Sequence, residues 1–155
     1  MKDEQGRKIQ PGSVENASQV AALPYRLQPG LEILLITSRE TRRWVLPKGW
    51  PMKDRAPHEA AAQEAHEEAG LIGDVSEAAV GAYHYQKGLK NGGSVLCEVA
   101  VFPLRVTGQL DSWTEQHQRE FQWFDPEAAA AAVAEEELAE LIRAFAAGNA
   151  LGSSS

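Results

Sequence analysis

Apolar positions fall in short runs separated by Gly, Pro and Asn, with one region of helical spacing among them. LEILLITS, Leu31 to Ser38, is continuously apolar, partly β-branched and preceded by Pro29-Gly30, which predicts a strand. SQVAALPYR, Ser18 to Arg26, reads as a strand whose Pro24 argues for an edge or a bulge. Trp44-Val45-Leu46 is a short strand stopped by Pro47. Ala79 to Gln86 and the longer run Ser94 to Leu104 flank a turn at Asn91-Gly92-Gly93. The second run is apolar at almost every position, so both its faces are expected to be covered. Its exception, Glu98, reads as a paired or edge-exposed carboxylate. Gly108 to Arg119 reads as a polar loop, and Phe121 to Phe124 as a short strand.

Two stretches predict helices. Pro57 to Ala69 has Pro in its first turn and Gly70 as a left-handed stop. Asp125-Pro126 opens an alanine-rich stretch to Ala147, predicting one broken helix or two that end at Gly148-Asn149. The order of strands, helix, strands, helix around a covered central strand predicts an α/β fold, a mixed sheet sandwiched between helices. Residues 1–17 read as a flexible polar arm, 18–148 as one domain and 149–155 as a tail.

Composition adds little until charge is mapped. The chain has 155 residues, 43% hydrophobic and 24% charged, which suits a soluble globular domain. A net charge of −7 argues against a general nucleic-acid-binding surface. Arg39, Arg42, Arg43, Lys48, Lys53 and Arg55 nevertheless face only Glu40 and Asp54 within one short segment. A basic island on an acidic protein suits a small anionic ligand rather than a long polyanion. The lone cysteine, Cys97, cannot close an internal disulfide and reads as a small buried hydrophobe in a reducing compartment. No signal-peptide pattern is visible in 1–17, and no apolar run is long enough to span a membrane, so a cytoplasmic location is expected.

The first helix carries the chemistry. At 100° per residue, Glu64, Glu67 and Glu68 project together, while Glu59 points about 140° away from Glu64. Ala61, Ala65 and Ala69 form a small apolar face able to press on a sheet. Two carboxylates about 4 Å apart repel by about 1 kcal/mol in water, and by about 4 kcal/mol at an effective dielectric near 20. A cation would offset this, and an all-oxygen ligand set suits Mg²⁺ or Mn²⁺. The competing reading is a solvated acidic face. His58, His66 and His84 are given no ligand role.

Gly49, five residues, Arg55, seven residues, then Gln63-Glu64-Ala65-His66-Glu67-Glu68-Ala69-Gly70-Leu71 resembles the Nudix box of the MutT/Nudix hydrolases. The spacing is kept throughout. Two identities depart, with Arg55 at the family's first Glu and Gln63 at its Arg. Changed together, they imply a rewired supporting contact. Trp44-Val-Leu-Pro-Lys-Gly49 looks like the family's lead-in strand and loop, in a version found among relatives acting on diadenosine polyphosphates. Ala21 to Arg26, Ser38-Arg39, Arg43-Trp44 and Arg119-Glu120 look most like the diphosphoinositol polyphosphate phosphohydrolase branch. That branch's basic cluster before the first strand is Ser18-Gln19-Val20 here.

The resemblance implies a Nudix-type α/β/α sandwich and a Mg²⁺-dependent pyrophosphohydrolase (Mn²⁺ as the alternative). Its metal would sit on Glu64 and Glu68 with the Gly49 carbonyl. Glu67 would serve as a further ligand or as the general base, and Glu115 and Glu120 are the candidate bases from the late loop. Phosphates of a small phosphoanhydride substrate would be held by Arg26, Ser38, Arg39, Arg43, Lys48, Lys87, Lys90 and Arg119. The expected substrates are diphosphoinositol polyphosphates or diadenosine polyphosphates, cleaved by a monomer or homodimer. Nucleoside triphosphates or RNA 5′ ends are the alternative. A nucleotide sensor that does not cleave is the reading from another class, supported only by the changes at Arg55 and Gln63.

Overall fold

The computed structural model describes residues 16–27 and 29–153. Residues 1–15 of the expected arm lie outside them, and Asn16 and Ala17 already belong to the first strand. The strands are β1 (Asn16–Arg26), β2 (Glu32–Thr37), β3 (Trp44–Val45), β4 (Lys48–Gly49), β5 (Leu71–Val75), β6 (Gly81–Gly88), β7 (Ser94–Gln109) and β8 (Phe121–Phe124). The helices are α1 (Pro57–Ala69), α2 (Pro126–Ala132) and α3 (Glu136–Ser153).

The strands join in one eight-stranded mixed sheet. β1 and β7 run parallel through its centre, from Asn16↔Leu96 to Tyr25↔Arg105. β6 and then β5 pair antiparallel along the other edge of β7. β1 is therefore central, and Pro24 is not at an edge. Pro24 is tolerated because, opposite β7, β1 changes partner there. Val20 and Ala21 pair with β4, and Tyr25 and Arg26 pair with β2.

Alternation along the central strands divides the core into two layers. Ala21, Leu23, Leu35 and Val99 face α2 and α3, where they meet Ala129, Leu138 and Ile142. Val20, Ala22, Leu34 and Phe102 face α1 and meet Ala60, Ala61, Ala65 and Ala69. This is the expected α/β/α sandwich. The small α1 face lets the helix lie close to the sheet, which fixes the direction of its glutamates.

Several boundaries differ from the sequence reading. β7 runs five residues past Leu104, so the polar loop begins after Gln109. β4 and β5 come from stretches that gave no strand signal. The alanine-rich region splits into α2 and α3, and α3 continues past Gly148-Asn149 to Ser153. One interior Gly costs a helix only about 1 kcal/mol, which flanking helical residues offset.

Candidate active site

α1 begins without a side-chain cap on Ala56, and Glu59 instead accepts a hydrogen bond from the Ala56 N–H at 2.9 Å. Glu59 is thereby committed to the helix start, in keeping with its direction away from Glu64. At the other end Gly70 adopts φ 68°, and a Cβ there would collide with the Trp113 indole. The last carbonyls of α1 and its cap, which have no helical partners, are taken by the end of β7 and the segment after it. Glu115 N–H donates to Glu67 O at 3.0 Å, the Gln109 amide to Ala69 O at 2.9 Å, and Leu110 N–H to Gly70 O at 2.8 Å. The far end of that segment is bonded to β2. Thr37 N–H donates to Glu120 O, and Glu120 N–H to Thr37 Oγ1. The predicted polar loop is thus docked on α1 at one end and β2 at the other, and it brings Glu115 beside the box glutamates.

A cleft of about 760 Å³ opens between this loop, the β2–β3 turn, β4 and β6. Ser38, Arg39, Arg43, Lys48, Gly49, Glu64, Glu68, Lys87, Glu115 and Arg119 all line it. The remaining sequence candidates do not. Arg26 pairs with Glu32 at 2.7 Å and lies 4.0 Å over the Trp123 ring, so its guanidinium is already engaged. Lys90 is exposed in the β6–β7 turn. Glu120 is exposed and faces Arg42 at 3.9 Å. Glu67 also lies outside the cleft lining. Its carboxylate accepts a hydrogen bond from Gln63 at 3.1 Å. Gln63 therefore supports Glu67, whereas Arg55 stands exposed on the turn before α1.

Burial dominates the electrostatics. Glu68 is 5% exposed, and burial pushes its carboxyl up to about 9, aided by its hydrogen bond with Glu64 and opposed by Arg119. Glu64 is raised as well, again chiefly by burial. The Lys48 ammonium is pulled below its ordinary value by burial, with Glu68 and Glu135 opposing. Its Nζ lies 5.0 Å over the Tyr85 ring. Anionic and cationic groups thus share one cleft, where burial outweighs the charge partners of Glu68 and Lys48.

The donor set fits a divalent cation. Glu64 and Glu68 converge as an all-oxygen pair, and Glu115 is in the same cleft. Among the described residues no three acidic, imidazole or thiol groups already converge at ligating distance. Gly49 lines the same place, and a Cβ built on it would overlap the Glu64 carboxylate. Only glycine leaves that carboxylate its space.

Tyr85, Gln19, Trp50 and Glu135 also line the cleft and were not singled out from sequence. The Tyr85 hydroxyl donates to Gln19, and Lys87 approaches the Trp50 ring at 6.0 Å. Tyr85 alternates inward with Tyr83 on a recognised strand, a signal that was legible. Glu135 lies in the break between α2 and α3, whose position the alanine tract hides.

The NUDIX domain profile matches residues 17–145. The chain belongs to the Nudix family. Nudix hydrolases act on phosphoanhydride bonds and generally use divalent metal ions. Among curated relatives, the chain is 32% identical to Nudix hydrolase 17, mitochondrial, of Arabidopsis thaliana, over 77% of this chain and 68% of that one. It is 31% identical to the diphosphoinositol polyphosphate phosphohydrolase 3-alpha of Mus musculus, over 72% and 65%. The fold is similar to that of a C. elegans Ap4A hydrolase, with a TM-score of 0.65, 22% identity and coverage of 86% and 98%.

Proposed function

We propose that this Nudix chain is a Mg²⁺-dependent pyrophosphohydrolase, with Mn²⁺ as the alternative ion, acting on diphosphoinositol polyphosphates or diadenosine polyphosphates. The observation carrying this is the Glu64–Glu68 pair, Glu68 buried and Glu64 half-buried, in a cleft whose rim is basic. Glu64 and Glu68, beside Gly49, would hold the ion, which supplies neutralisation of phosphoryl charge and a more acidic bound water. Arg39 and Arg43 grip phosphate oxygens by forked hydrogen bonds, and Lys48 as a point charge. A phosphate beside Lys48 also returns the charge partner that burial denies the ammonium. Glu115, held at the cleft wall, takes the proton of the attacking water. Lys87 at the opposite wall suits a substrate with several phosphates. A reducing, cytoplasmic setting belongs to the same proposal, on the strength of the single buried Cys97.

The test is phosphate or nucleotide release with Mg²⁺ on both substrate classes, with nucleoside triphosphates alongside. Glu64→Gln and Glu68→Gln should each lower turnover by roughly 10²–10³-fold while the protein stays folded. Glu67→Gln should cost less, since that carboxylate is already engaged by Gln63. Wild-type turnover in Glu68→Gln would sink the assignment. Binding without turnover on every substrate would favour the sensor.

A further inference from the structure

Arg119 is read from sequence as a phosphate ligand, but its surroundings give it other work. Its side chain is 12% exposed. Nε donates to Glu115 Oε1 at 2.8 Å. A second guanidinium nitrogen donates to the Thr37 carbonyl at 3.1 Å, and the third faces Glu68 at 3.7 Å. All three nitrogens are therefore directed at protein oxygens on three different segments: the loop, the end of β2, and α1. Arg39 donates to Gln118 at 2.8 Å and faces the same Glu115 oxygen at 3.9 Å, but it is 54% exposed and, among the described residues, bonds no fixed backbone there; Arg43 is exposed on the rim.

We propose that Arg119 is a positioning residue that sets the Glu115 carboxylate against the Glu64–Glu68 pair, and not a phosphate ligand. This rests on the hydrolase reading above. A guanidinium suits the task because its planar fork can address several oxygens at fixed angles from one rigid group. Thr37 supplies the fixed point, since its N–H and hydroxyl also hold Glu120 beside Arg119. The Glu115 backbone is held independently by Glu67 O, so the loop's course does not depend on Arg119. What Arg119 adds is the direction of the carboxylate. A misplacement of about 1 Å in such a group can cost about 10²-fold in rate.

Steady-state kinetics of the full chain with Mg²⁺ on diadenosine triphosphate and diadenosine pentaphosphate separates the two roles. Arg119→Ala should lower kcat by about 10²-fold, by the same factor on both substrates, with KM within about threefold of wild type. Added guanidinium ion should restore part of the Arg119→Ala rate, and Arg119→Lys should retain more activity than Arg119→Ala. A KM that rises more steeply on the pentaphosphate, with kcat kept, would overturn the proposal and return Arg119 to the phosphate ligands. Amide hydrogen exchange over 113–120 gives a readout without turnover. It should quicken modestly at Arg119 and Glu120 in both variants while α1 stays protected. Where Arg119→Ala does not fold, Arg119→Lys carries both measurements. If wild type cleaves neither substrate, the kinetics move to a diphosphoinositol polyphosphate, and the hydrolase reading fails only if that too is left intact. An unchanged Glu115 side-chain carboxyl ¹³C shift in Arg119→Ala would overturn the positioning role independently of turnover.

Discussion

Gly49 shows how much one missing Cβ can decide. The Glu64 carboxylate fills the space a side chain at 49 would need. Gly49→Ala should therefore lower turnover by about 10²-fold although no charged residue is replaced. The overpacking should cost about 1–3 kcal/mol in denaturant unfolding. Gly30→Ala, with nothing within 4 Å of the new Cβ, serves as the control and should behave as wild type. Full activity in Gly49→Ala would show that the carboxylate's place does not matter. At this scale the sequence was a good guide to Glu64 and Glu68, because helical spacing dictates where i and i+4 point. It grouped Glu67 with them, and here that carboxylate accepts from Gln63, at a position where the family carries Arg, and lies outside the cleft lining. It also offered Arg26 as a phosphate ligand, since charge alone cannot show that Glu32 and Trp123 have already claimed the guanidinium.

At the scale of elements, contacts between strands and helices decide what pH does to the fold. His84 on β6 is bonded on one ring nitrogen to Glu137 of α3 at 3.1 Å and on the other to Glu98 of β7 at 3.2 Å. The Glu137 hydrogen bond leads in raising the His84 pKa above its ordinary value, and Glu98 adds to it. A raised folded pKa means that this bridge contributes fully below about pH 6.5 and is lost as pH rises through the folded value. His84→Ala should then destabilise the protein more at pH 6 than at pH 8.5, read as the difference in Tm from wild type. Equal differences at both pH values would remove the bridge from the account. The long apolar elements were legible because their periodicity is strong. β5 was not: LIGDV is short, half exposed, and interrupted by a register shift at Ile72/Gly73. The docking of the loop on α1 was illegible for a different reason. It runs largely through backbone donors and the unpaired carbonyls of a helix end, which every sequence possesses.

For the whole molecule, the cleft gathers residues from positions 19 to 135, and that assembly sets the balance between stability and chemistry. Glu68 is lifted from 4.5 to about 9 by burial, so without metal its contribution to stability is complete below about pH 4.5 and declines as pH rises toward 9. Mg²⁺, if it is the ion held by this pair as proposed, should bind the ionised form and reverse that loss. Its addition should raise Tm, more at pH 8.5 than at pH 6, by an amount equivalent to about 2.7 kcal/mol at a hundred times Kd. Glu68→Gln should be less sensitive to Mg²⁺ and should lose less stability over the same pH range. A Mg²⁺-induced shift as large in Glu68→Gln as in wild type would place the ion elsewhere.

The loop from Leu110 to Glu120 is fastened at Glu67 O, Gly70 O and Thr37 largely by its own main chain. Such fastening is indifferent to most of the letters written on it. Asp111, Ser112, Thr114 and His117 are therefore open to mutation in a lineage while the carboxylate at 115 is still delivered to the same place. New substrate preferences can arise along this segment by drift and selection without the ancestral reaction being rebuilt each time.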